Sequence, residues 1–482
     1  MRLLQVSFRY RRRQPFVLEE ADAQLAPGDA IELTGVNGAG KSTLLRLLAG
    51  LARPTRGRIA DRPGVVGFAP DRFPTAQPFT VTSYLTRMAS VRGGARWRPW
   101  AERLNMGHLL GLPLGELSKG SAHKVGLVQA LMADPGLLIL DEPFAGLDAD
   151  ARETLPAIVT EVAGRGGIVV ASDHQGGLRG LPGLRSWSLV DGRLKEATPA
   201  APVAPASSVP PATHASERPL ATVAVTLPAD ELPRFLTRMR DQGYRTSALD
   251  HPPYARGARM IALAVFRLAA YVRSHRVHQA LLLTLAMLAI VYGSRAPKGT
   301  EAAVLADGAV LIIPILAWAT RSLLDTEPDR QRELSAVTAG GRGKEVAAGL
   351  VASLVACAVL AAVGLAWAVL LGLSERPGRD VLGAALVLHA LAVLAGTALG
   401  ALTSRAVLRS PAVSIMSLVL GYLVMLLLSA SPAYWLTVPL VVWMRAAGGG
   451  ELLDQLPQLS AISLVWCLAG LALYAWRRRR VG

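Results

Sequence analysis

The chain has 482 residues, too many for one ordinary domain and suited to about three. Lys and Arg outnumber Asp and Glu by 51 to 35, a formal net charge of +16, but part of the excess lies in clusters beside apolar runs, such as RSHR at 273–276 and RRRR at 477–480. Such clusters anchor membrane helices on their cytoplasmic side, which argues against nucleic acid as a partner, and the long Leu, Ala and Val runs after about residue 276 exclude a wholly soluble protein.

The two cysteines, Cys357 and Cys467, both fall inside apolar runs and are expected to pack as small hydrophobes rather than form a disulfide or a metal site. The opening MRLLQVSFRYRRRQPF has no sustained apolar core, so no cleavable signal peptide is expected and the first half is expected in the cytoplasm.

Residues 30–33 are predicted to form a buried strand, and Gly35 to Ser42 match G-x-x-x-x-G-K-[ST] within GVNGAGKST. Gly38 and Gly40 let the backbone curl so that successive N–H groups, those around Asn37, Ala39 and Thr43 included, face phosphates. A helix opening at Lys41 adds its positive dipole end. Lys41 can reach the β and γ phosphates and Ser42 can hold Mg²⁺. The site is expected to bind a nucleoside triphosphate.

Further along, LSKGS at 117–121 precedes a helical stretch. LLILDEP at 137–143 is a buried strand ending in two carboxylates. Asp141 is placed to bind Mg²⁺ through water, and Glu142 to polarise an attacking water. A third apolar strand runs into His174 in IVVASDHQ.

Residues 197–219, rich in Pro, Ala and Ser, read as an extended linker. A small unit follows at 220–250: ATVAVTLP alternates like a strand, and Leu232, Phe235, Leu236 and Met239 share one face of a predicted helix that stops at Gly243. Residues 251–276, carrying Arg267, Arg273 and Arg276, suit a connecting helix lying in the cytoplasmic interface. Six crossings are predicted within 277–482, at 277–293, 302–320, 346–373, 381–402, 412–430 and 459–476. The stretch 434–444 is too short to cross and reads as interfacial or re-entrant. An even count returns the C-terminus to the side of the first domain, so both termini are expected in the cytoplasm of a multi-pass cell-membrane protein.

GVNGAGKST, LLILDEP, AGLD at 145–148 and His174 occur in the order and at spacings similar to those of ATP-binding cassette (ABC) transporters. The likeness covers residues 1–196; the six later spans resemble, by pattern only, the type 2 drug-exporter permeases. The implied fold is an α/β P-loop NTPase, the ABC ATPase cassette, followed by an all-α transmembrane domain of six helices. The resemblance also implies ATP and Mg²⁺, with Tyr10 (alternatively Phe8) stacking on adenine and His174 contacting the γ phosphate. Asp148 is the implied dimer-contact carboxylate. Ser118 and Gly120 would reach the ATP held by a second cassette, so a second half-transporter chain is the implied partner, a homodimer being favoured.

Two letters depart from the family: Lys119 and Ser121 stand where LSGGQ has glycine and glutamine. Asp71 aligns with a glutamine that senses Mg²⁺ and the membrane domain, and Gln77 falls too late in the loop to replace it. The loop 326–346 is the expected coupling element. Charge within the spans is scarce, Asp307 and His389 being the two candidates for touching cargo, so the expected cargo is hydrophobic or amphipathic and moves outward. The alternative is a membrane-anchored accessory ATPase that needs a different partner chain.

Overall fold

A computed structural model describes residues 1–197, 232–242 and 256–480. Met1–Ala197 and Arg256–Gly482 belong to one compact unit and Thr198–Ala255 to another. Of the second unit, the expected linker and the expected strand at 221–228 lie outside the described residues, whereas the expected helix is present.

The strands, in chain order, are β1 (Arg2–Phe8), β2 (Leu18–Gln24), β3 (Ala30–Thr34), β4 (Arg56–Ala60), β5 (Val66–Ala69), β6 (Leu137–Asp141), β7 (Ile168–Ser172), β8 (Leu184–Val190) and β9 (Arg193–Ala197). Among them run helices α1 (Lys41–Leu48), α2 (Val81–Val91), α3 (Arg98–Arg103), α4 (Lys119–Leu131) and α5 (Ala149–Gly164). β2-β1-β4 form an antiparallel sheet, and β5-β6-β7-β3-β8-β9 form a second that is parallel except for its β8-β9 edge. β6 and β7 are buried on both faces, which is why they read as unbroken apolar runs. Asp141 pairs in register with Ser172, so the C-terminal tips of β6 and β7 lie together next to β3, whose tip runs into the phosphate loop. Side-chain caps fix where α2, α4 and α5 begin: Thr80, Ser118 and Asp148 each accept from the backbone N–H three residues on.

The helices that follow are α6 (Leu232–Asp241), in the second unit, and then α7 (Arg256–Arg273), α8 (Arg276–Val291), α9 (Glu301–Leu311), α10 (Ile313–Leu324), α11 (Asp329–Ala339), α12 (Arg342–Trp367), α13 (Arg379–Leu402), α14 (Pro411–Ala430), α15 (Leu440–Gly448) and α16 (Leu452–Arg480). Among the described residues five helices are long and apolar enough to cross a membrane. α9 and α10 together make one of them, Glu301–Leu324, and α12 continues through a π-helical turn to Gly372 as another. The expected crossing at 277–293 corresponds to α8, whose 16 residues reach spanning length only together with α7, from which it bends by 72°. The count is therefore five, or six with that bent pair. The expected interfacial stretch at 434–444 holds a single turn, Tyr434–Leu436, and the nine-residue α15.

α13 packs against α10, α12 and α16. Its backbone comes close to α10 because Gly396 and Gly400 are one turn apart: a Cβ on Gly400 would lie 2.3 Å from the Ala317 carbonyl oxygen. Cys357 and Cys467 are free and buried, as expected. Within α13, His389 is buried and its Nδ1 lies 2.8 Å from the Ala385 carbonyl of the same helix, so that ring nitrogen is engaged by its own helix. Asp307 is half-buried on α9.

Arg267, on the expected connecting helix, is one of its buried residues. It is buried between Glu327 and Glu345, with Arg478 of α16 on the far side of Glu345. The carboxylates that draw Arg267 inward, Glu327 and Glu345, come from far later in the chain.

Candidate functional site: a phosphate loop facing two carboxylates

Between β3 and α1 the chain turns through three glycines with positive φ, Gly35 (147°), Gly38 (86°) and Gly40 (105°). At Gly35 the need is also steric, since a Cβ there would lie 2.7 Å from the Leu189 carbonyl oxygen. Asn37 and Gly38 are exposed at the loop's outer edge, with Ala39 half-buried. Lys41 Nζ folds back to donate to the Gly35 (2.7 Å) and Val36 (3.2 Å) carbonyls. Burial pulls its pKa below the usual lysine value, against the opposing pull of Glu142 and Asp141.

Asp141, at the tip of β6, is buried and accepts from the Ser172 hydroxyl at 2.8 Å. Burial raises its pKa above the ordinary carboxylate value, while hydrogen bonds from Ser172 and Ser42 oppose the rise. Ser42 and Asp141 thus meet through hydroxyl and carboxylate oxygens, hard donors of the kind Mg²⁺ prefers, and the set fits that ion. Among the described residues no cluster of three or more His, Cys, Asp or Glu competes as a metal site.

Glu142 has φ of 53°, uncommon outside glycine, and its N–H is held by both the carbonyl (3.1 Å) and the hydroxyl (2.9 Å) of Ser172. Its side chain is thereby turned toward His174, whose Nε2 lies 3.5 Å from Glu142 Oε1. Ser172 was missed from sequence; its place at the tip of an apolar strand, two residues before His174, was the available signal.

Of the two aromatics weighed for the base, Phe8 is buried and packs edge-on at 5.0 Å against Tyr10, which is 56% exposed. Tyr10 is the one free to stack, and its hydroxyl meets Thr43 Oγ1 at 2.9 Å. Ser118 and Gly120 open α4. Ser118 is exposed and its hydroxyl bonds to Ser121; a Cβ on Gly120 would lie 2.0 Å from the Gly146 carbonyl oxygen. Lys119 is exposed. Asp148 caps α5 by accepting from the Ala151 N–H and pairs at 2.6 Å with Lys124.

Asp71 lies within electrostatic reach of Asp141 but pairs with Arg330 of α11. Gln77 also turns to α11, donating to Gln331 at 3.1 Å, and Tyr84 bonds the same oxygen at 3.1 Å. Gln129 of α4 donates to Thr338 at 3.1 Å, and Arg46 of α1 pairs with Glu333 at 3.1 Å. Beside them Phe266 of α7 stacks on Phe79 at 5.2 Å. Of the cassette residues in these contacts, Arg46, Phe79, Tyr84 and Gln129 carried no motif in the sequence.

A P-loop ATPase cassette is what this fold and site define. The family profile described as "ABC transporter" matches residues 18–145. The cytochrome c biogenesis ATP-binding export protein CcmA of Rhizobium meliloti is 34% identical over 190 residues, 36% of this chain and 92% of that protein. The zinc import ATP-binding protein ZnuC of Yersinia enterocolitica is 37% identical over 162 residues, 33% of this chain and 62% of that protein. Among solved structures, an ATP-binding subunit of an ABC transporter is 26% identical with a TM-score of 0.37, covering 41% of this chain and 89% of that one. The chain belongs to the ABC transporter family through its N-terminal cassette, the ATP-binding component. Several long apolar helices follow that cassette.

Proposed function

We propose that this chain is an ATP-driven half-transporter that works as a homodimer and moves a hydrophobic or amphipathic molecule or lipid outward. The observation that carries the reading is α11: it lies between the spans ending at Leu324 and beginning at Arg342, and contacts the cassette through Arg330, Gln331, Glu333 and Thr338. A rearrangement of the cassette would thus be delivered to both spans. Export is favoured by the scarcity of charge along the spans and by the order of cassette and helices in one chain; the named relatives include both an import and an export protein and do not set the direction.

In this reading the loop Gly35 to Thr43 cradles ATP phosphates, with Lys41 leaving its carbonyl partners for the β and γ oxygens. Ser42 and Asp141 would hold Mg²⁺, which would supply charge neutralisation at the phosphates. Glu142 orients and polarises the attacking water, its backbone fixed by Ser172, while His174 holds the γ phosphate. Ser118 and Gly120 complete the site of the second copy. The cassette and both termini are cytoplasmic.

Purified protein in nanodiscs is expected to hydrolyse Mg-ATP and to lose that activity with Glu142→Gln. Inside-out vesicles carrying the protein should accumulate a lipid-like dye when given ATP. Turnover only after a different polypeptide is added would favour the accessory-subunit reading, which Asp71 and Lys119 motivate.

A further inference from the structure

α11 meets the cassette through two contacts of opposite sign, one helical turn apart. Arg330 pairs with Asp71, and Glu333 pairs with Arg46. The second contact leads somewhere unexpected. Arg46 lies on α1, three residues after Thr43 and therefore on the same face. Thr43 Oγ1 bonds the Tyr10 hydroxyl at 2.9 Å, and the Arg46 guanidinium lies near enough to interact electrostatically with the same hydroxyl. Arg46 Nη2 in turn holds both Glu333 oxygens, at 3.1 and 3.2 Å. Tyr10 is the exposed aromatic beside the phosphate loop, so its ring is tethered at the hydroxyl end to Thr43, one helical turn from the residue that Glu333 holds.

We infer that Glu333 and Arg46 are positioning residues: through the Tyr10 hydroxyl they set the orientation of the ring that receives the nucleotide base, so the docked state of α11 raises nucleotide affinity. Linkage makes the effect reciprocal, and a bound base tightens the docking of α11 by the same factor. Electrostatics fits a modest effect. The two side chains are 33% and 24% exposed, so solvent screens the pair, and its loss acts on Tyr10 through one mobile guanidinium. The relay rests on the cassette's binding of ATP and is independent of cargo and direction.

The test measures Mg-ATP dissociation constants for the full chain in nanodiscs, in the Glu142→Gln background, where binding is read without turnover. Glu333→Gln is expected to weaken binding about fivefold, the size of a partly exposed ion pair. Tyr10→Phe, which removes only the hydroxyl, should weaken it by a similar factor. The double variant should be no weaker than either single, because both cut the same chain. Charge exchange, Arg46→Glu with Glu333→Arg, should recover at least half of the loss caused by Arg46→Glu alone.

An unchanged constant for Glu333→Gln overturns the inference, as do multiplicative effects of Glu333→Gln and Tyr10→Phe. Melting temperatures of each variant separate a lost relay from a lost fold: a weaker constant in a protein that melts like its parent is the supporting result, and one explained by a lowered melting temperature counts against it. Since no transport is measured, a chain that moves no dye still returns one answer or the other.

Discussion

Replacing Glu345 by Gln keeps the shape of the side chain and removes its charge. In the wild-type chain Glu345 accepts from Arg267 at 2.6 Å and from Arg478 at 3.1 Å, and Glu327 is the second carboxylate on Arg267. Two cations thus face two anions, and after the change the same two cations face one. Arg267, Glu327 and Glu345 have side chains only 5–6% exposed, so water cannot make up the difference. Breaking a buried pair by removing one partner costs about 3–5 kcal/mol. The Arg2–Asp61 pair, 55% and 61% exposed, is the internal control and should cost about 0–1 kcal/mol. Thermal melting in detergent, followed by size-exclusion chromatography, should place Glu345→Gln well below wild type and Asp61→Asn beside it. Adding Arg478→Met to Glu345→Gln removes the excess cation and should recover part of the loss. If Glu345→Gln melts where Asp61→Asn does, the ionic cluster does not hold α7, α12 and α16 together and the reasoning fails.

Four further outcomes can be checked. Lys124 is 4% exposed and Asp148 55%, so Asp148→Asn strands a buried cation while Lys124→Met leaves a hydrated carboxylate; Asp148→Asn should therefore lower the melting temperature more. Burial pulls the His123 imidazole down to about 4. Between there and its unfolded value near 6.5 the unfolded chain binds more protons, so stability should fall as pH drops through that window, and His123→Met should flatten the dependence in melts from pH 7.5 to 5. Burial, with Asp173 adding to it, raises the pKa of Glu32. Its stabilising contribution is present at low pH and lost as pH rises through the folded value, so Glu32→Gln should raise the melting temperature at pH 7.5 and lose that advantage near pH 4.5. Gly120→Ala, which must displace the Gly146 carbonyl, should abolish ATPase activity, whereas Lys119→Gly at an exposed position should alter kcat by less than about threefold.

What the amino-acid order determined was chemistry that lives in short segments. The phosphate loop needs glycines at fixed offsets and a lysine at a helix start, and those needs are met within Gly35 to Thr43 whatever surrounds them. Asp141 and Glu142 are adjacent, and the apolar runs before them can only be buried strands. Length and hydropathy likewise marked most of the spans.

The tertiary structure decided what depends on meeting across the chain. Asp71 was placed by its alignment with a residue that senses Mg²⁺ and the membrane domain, but its partner Arg330, 259 residues later, was not legible; Arg46, 287 residues from Glu333, had no motif at all. Arg267 is buried by α12, α16 and the turn that carries Glu327, none of which is near it in sequence. A charged side chain carries the same letter whether solvated or buried, and its role is set by which partner arrives and how much water leaves. Only folding fixes either of those.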